Sequence, residues 1–79
     1  MSFEDIMLKI STIINETFDT EYEIKTETSA EEIDEWDSIS HIELITEIEK
    51  GFEVRFALGE LQDLKNVGDM AKLTQEKIA

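Results

Sequence analysis

The sequence predicts an all-α fold, a small four-helix bundle of three longer helices and one short one. Three observations predict it. Apolar residues recur at helical spacing in separate segments, cap residues stand where those segments begin, and none of the 79 residues is proline. A chain of this length supports one domain with a thin core, so residues 1–79 are read as a single unit.

The first helix is expected over about residues 3–16. Phe3, Ile6, Met7, Ile10, Ile13 and Ile14 fall on one face, and Ser2 with Asp5 has the spacing of a capping box. Its isoleucines lower helix propensity, so packing has to hold it. Residues 17–37 show no period and read as a loop, with Phe18, Tyr22, Ile24 and Ile33 as its anchors to the core. Thr28-x-x-Glu31 and Ser29-x-x-Glu32 both have the spacing to start a single helical turn inside it.

A second helix follows over about 38–50. Ile39, Ile42, Ile45 and Ile48 form its expected buried stripe, with Leu44 beside them. Gly51 is expected just past its end as a C′ residue, with Phe52 folding back. Val54 and Phe56 alternate with charged residues, but a lone strand has no partner, so this stretch reads as loop. Leu58, Leu61 and Leu64 space a short helix over about 58–64, although Gly59 weakens it by about 1 kcal/mol relative to Ala. Asn66 caps the last helix, about 67–78, whose inner face is Val67, Met70, Ala71, Thr74 and Ile78.

Charge excludes several function classes. Twenty acids against seven bases give a formal net charge of −13. Residues 16–53 hold 14 of those acids and only Lys25 and Lys50 as bases, so −12 of the −13 lies mid-chain. Such a chain repels nucleic acid phosphates and anionic lipid headgroups, and its expected partners are basic protein surfaces. Like charge of this density also points to a monomer. Without cysteine there is no disulfide, no thiolate and no Cys-based metal site; the acidic loop lacks calcium-loop spacing, so no metal site is expected. No apolar run spans a membrane and no signal peptide is visible, which makes the cytoplasm the expected compartment. Self-repulsion across residues 16–53 predicts that added NaCl or Mg²⁺ raises the melting temperature; a melt that does not move would remove this reading of the charge.

The informative stretch is Glu35-Trp36-Asp37-Ser38-Ile39-Ser40-His41-Ile42-Glu43-Leu44-Ile45. Ser38 stands where a long acidic loop turns into an amphipathic helix, beside free N–H groups and the positive end of a helix dipole. An anion attached there is favoured. On spacing alone, plain capping by Asp37 and Ser38, with Ser40-x-x-Glu43 as a capping box, explains the same residues. A hydrolytic reading of Ser38 with His41 fails, because no glycine-rich oxyanion loop and no group orienting the His are evident. Trp36 reads as a loop anchor beside the second helix, and His41 as a partly exposed helix residue.

This stretch resembles the attachment site of acyl carrier proteins, in which Asp-Ser-Leu/Ile opens the second helix. The resemblance runs on without gaps through Ile42, Glu43, Leu44, Ile45, Ile48, Phe52, Phe56, Leu61, Leu64 and Val67, and covers residues 30–79. It implies that the chain is not an enzyme. It implies that a phosphopantetheinyl transferase moves 4′-phosphopantetheine from coenzyme A onto Ser38, with Asp37 flanking. Acyl intermediates then ride on that arm as thioesters and are presented to loading and processing enzymes with basic docking surfaces. The family engages its partners through the second helix, so Asp37, Glu43, Glu47 and Glu49 are the docking candidates. Glu43 matches a position usually acidic in the family; Glu47 rests on charge and exposure.

Two departures qualify the resemblance. Fatty-acid carriers commonly read Gly-Ala-Asp-Ser-Leu-Asp, where this chain has Glu35-Trp36-Asp37-Ser38-Ile39-Ser40. Trp36 and the loss of the acid at Ser40 look more like specialised stand-alone carriers of polyketide, peptide or surface-sugar clusters, which often show Trp-Asp-Ser-Leu. Leu61 stands where Ala is frequent, which implies a smaller acyl cavity. From a different class, the competing reading is an unmodified acidic helical adaptor for a basic partner.

Overall fold

The computed structural model describes residues 2–61, 64 and 66–78, without the side chains of Ser38, Leu58 and Leu61. Helix α1 (Phe3–Phe18) is the axis on which the others pack. Its steps of three and four bury Ile6, Ile10 and Ile14 completely, with Phe3, Met7 and Ile13 on the rim. Ser2 and Asp5 close the expected capping box. Helices α2 (Ser38–Phe52) and α4 (Val67–Ile78) pack against α1. Between them α3 (Leu58–Leu61) is a single turn, fastened to α4 by a 2.8 Å ion pair between Glu60 and Lys77. Leu64, which the short helix was expected to reach, is non-helical, and residues 62 and 63 lie outside the described residues. The Leu58 and Leu61 side chains, and the cavity size inferred from Leu61, lie outside the described residues. No strand occurs among the described residues.

The long loop is ordered by the core and by α4. One 3-10 turn, Ala30–Glu32, opens where Glu32 accepts from the Ser29 N–H at 2.9 Å. Ile33 is buried beside it. The Asn15 side chain pins the loop entry, accepting from Tyr22 N and Thr20 Oγ1 and donating to the Tyr22 carbonyl. At the far end Val67 N–H donates to Thr28 O and Gly68 N–H to Thr26 O, both at 2.8 Å. Two orphan donors of α4 are thus satisfied by loop carbonyls, while Asn66 Oδ1 accepts from Asp69 N as expected of its cap.

Two glycines decide close approaches. A Cβ at Gly68 would lie 2.8 Å from Thr26 O, a backbone atom that cannot swing aside. Gly68→Ala is therefore expected to lower stability by about 1–3 kcal/mol, read as a lower midpoint in thermal or urea melts. An unchanged midpoint would show that α4 does not seat on the loop as described. At Gly51 the near atom is the Ile13 Cδ1, 2.9 Å away. Gly51 sits inside α2 rather than past its end, correcting the expected C′ role. The missing Cβ lets α1 approach, α2 runs on to bury Phe52, and the left-handed cap falls on Glu53 (φ 57°).

The buried face of α2 also differs from the expected stripe. Leu44, Ile45, Ile48 and Phe52 are buried, whereas Ile39 and Ile42 are 81% and 69% exposed. Each three-residue step falls short of a full turn by about 60°, so from Ile39 to Ile48 the series swings to the opposite side of the helix. The core takes its C-terminal half and leaves the first two isoleucines in solvent.

Candidate functional site

The start of α2 is built by Asp37 and Ser40. Asp37 is the N-cap: its Oδ1 accepts from Ile39 N at 3.0 Å and from Ser40 N at 2.8 Å. Ser40 Oγ accepts from Asp37 N at 2.8 Å and donates toward the Glu35 carbonyl at 2.7 Å. The capping box is therefore Asp37 with Ser40, not Ser40 with Glu43, and Ser38 is the first helical residue rather than a cap. Hydrogen bonds from Ser40, its backbone N–H first and then its hydroxyl, hold the Asp37 carboxyl below the usual carboxylate range. Asp37 stays ionised at neutral pH. Its carboxylate also occupies helix N–H groups that an anion at Ser38 was expected to find free.

Trp36 and His41 brace this junction from inside. Trp36 is only 7% exposed and packs near Phe18, ring centroids 6.3 Å apart. Its indole Nε1–H donates to His41 Nδ1 at 2.9 Å, with the two ring planes 19° from parallel. Trp36 is thus a loop anchor, as expected, and His41 is half-buried, in keeping with the partly exposed helix residue expected. Burial lowers the imidazole's titration, so His41 is neutral at neutral pH. A group does orient this His, contrary to the sequence reading, but it does so in the wrong sense for hydrolysis. Nδ1 is engaged as acceptor and the remaining proton is on Nε2, so neither nitrogen is a ready base. Only the chain's single Trp and single His, five residues apart across the loop–helix boundary, hinted at this pair. On the loop side, Tyr22 Oη donates to Glu35 Oε1 at 2.8 Å.

The docking candidates stand in different surroundings. Glu43 and Glu47 are exposed, and with Glu16 of α1 they line a shallow cleft between α1 and α2. Lys50 stands 3.8 Å from Glu47, a loose surface pair. Glu49 is different. It is half-buried, and its Oε2 accepts from Phe56 N at 2.9 Å, pinning the segment after α2 back onto the helix. Ile39 and Ile42 are surface residues at this end of the protein that sequence reasoning had placed inside. Among the described residues no cluster of His, Cys, Asp and Glu could hold a metal ion, and no helix is long and apolar enough to cross a membrane.

Serine at the first position of a helix, with its neighbours doing the capping and the flanking residues in solvent, suits a covalently tethered group that must reach outward. The comparisons agree. A family model described as a phosphopantetheine attachment site matches residues 10–74. The solution NMR structure of a holo acyl carrier protein from Geobacter metallireducens superposes with a TM-score of 0.87 at 44% identity, covering 92% of this chain and 85% of that one. The chain belongs to the phosphopantetheine-attachment family as an acyl carrier protein, a carrier rather than a catalyst, whose cofactor is a covalently held 4′-phosphopantetheine.

Proposed function

We propose that Ser38 is the attachment residue and that the protein presents acyl intermediates to partner enzymes through the exposed face of α2. The observation that carries this reading is the division of labour at the helix start: Asp37 and Ser40 form the capping box, and Ser38 is the first helical residue beside it. In loading by a phosphopantetheinyl transferase, the Ser38 hydroxyl oxygen bonds to the phosphorus of coenzyme A nearest the pantetheine. The pyrophosphate bond breaks, adenosine bisphosphate leaves, and the hydroxyl proton passes to the transferase. Once attached, the arm supplies the thiol that this cysteine-free chain lacks, holding acyl cargo as a thioester.

Partner enzymes with basic surfaces dock on Ile39 and Ile42, flanked by Glu43 and Glu47 and by Asp37 at the helix start. The carboxylates steer and speed encounter, while the apolar pair supplies contact area. Glu49 contributes to the charge but is spent largely on Phe56. Trp36 and Ser40 support a specialised carrier of polyketide, peptide or related biosynthesis over a housekeeping fatty-acid role. Loading from coenzyme A supports a cytoplasmic location, and the charge supports a monomer.

The experiment is intact mass before and after incubation with coenzyme A, Mg²⁺ and a broad-specificity transferase. A gain of one phosphopantetheine is expected. A folded chain that gains nothing beside an active transferase favours the acidic adaptor instead.

A further inference from the structure

We propose that His41, with its tautomer set by Trp36, is the side-chain donor that hydrogen-bonds the phosphodiester joining the arm to Ser38; this rests on the reading of Ser38 above. An indole N–H can only donate, so the nitrogen it meets must be the imidazole's acceptor. That nitrogen is Nδ1, at 2.9 Å. The neutral ring therefore carries its proton on Nε2, as a second donor facing away from Trp36. Because Trp36 is buried, the ring is held in that sense by the core and not by chance of solvent.

The described donors that follow Ser38 in the first turn are engaged. The amides of Ile39 and Ser40 donate to Asp37, and the Ser40 hydroxyl is turned to Glu35 O and Asp37. Between Lys25 and Lys50 the chain has no Lys, Arg, Asn or Gln, so Trp36 and His41 bear the only side-chain N–H groups in that span. Trp36 spends its own on His41. Position 41 follows position 38 by three residues, neighbours on a helix surface, and helical side chains lean toward the N-terminus. A monoanion at Ser38 would stand next in sequence to the ionised Asp37, which makes an added donor favourable. Glu35, three residues before Ser38, accepts from Tyr22 Oη.

The test compares apo and loaded protein by NMR, after intact mass has shown the arm in place. The single His and single Trp make their signals unambiguous. On loading, the imidazole's titration midpoint is expected to rise by about 0.5 pH unit, the size of a surface contact with one opposite charge. The phosphodiester ³¹P resonance is expected to move with that same titration, to stay near its position in His41→Gln, which keeps a donor, and to shift in His41→Leu. A loaded protein whose imidazole titrates as in the apo form, with ³¹P unmoved in His41→Leu, overturns the proposal while leaving the carrier reading intact. Failure of Ser38 to load at all overturns both.

Discussion

Ser38→Ala is expected to fold as the parent does and to gain no mass with coenzyme A and an active transferase. The loss of loading is complete because the reaction forms a bond to the serine oxygen, and no cysteine offers a substitute. Fold is spared because the residue is not the cap. Asp37 accepts from the Ile39 and Ser40 amides of the first turn, and Ser40 Oγ accepts from the Asp37 N–H. The stability is therefore expected within about 0.5 kcal/mol of the parent, read from the melt. Ser40→Ala is the mirror image: it breaks the capping box, lowers stability by about 0.5–2 kcal/mol and still loads. Mass spectrometry with a melt of each variant separates the two. Loading of Ser38→Ala, or loss of loading in a folded Ser40→Ala, would assign the attachment to the wrong serine.

Ile42→Asp is expected to raise the KM for loading by the transferase about tenfold or more, leaving kcat and the melting midpoint nearly unchanged. Ile42 is 69% exposed, so its removal opens no cavity in the fold. Buried against a partner, an isoleucine side chain contributes about 1.5–3 kcal/mol, and each 1.4 kcal/mol is a factor of ten in affinity. Aspartate loses that contact and adds an acid to the patch. Ile39→Asp is expected to behave alike. Glu43→Gln and Glu47→Gln, by contrast, each remove an exposed pair of about 0.2–1 kcal/mol and act mainly on the association rate. Raising NaCl is expected to erase the difference between these glutamate variants and the parent while leaving the Ile42→Asp defect in place. Steady-state loading kinetics at two ionic strengths read both effects. If Ile42→Asp loads with the parent's KM, the apolar face is not where partners sit.

Helices α1 and α4 were legible because their apolar residues step by three and four in alternation, which keeps a stripe on one side. In α2 the isoleucines step only by three, and such a series drifts around the helix. Nothing local says at which point of the drift the core lies. The position of α1 decides it, and it selects Leu44, Ile45, Ile48 and Phe52. The same contact explains Gly51. As a residue type it signals a helix end, but here the missing Cβ admits the Ile13 side chain and α2 continues past it. The Asp-Ser-Ile junction was readable as a whole, yet whether Asp37 or Ser38 caps depends on backbone angles that both residue types tolerate.

Charge, length, the absence of cysteine and the three apolar periods already determine an acidic all-helical domain, since each depends on composition or on spacing within one segment. The Asp37-Ser38-Ile39 stretch with its downstream register adds the family. Contacts between segments had to come from the tertiary structure. They include the Trp36–His41 bond that sets a tautomer, the turn of Glu49 toward Phe56, and the exposure of Ile39 and Ile42. In each case the residue's own preferences allow two outcomes of similar energy, and packing against a distant part of the chain selects one.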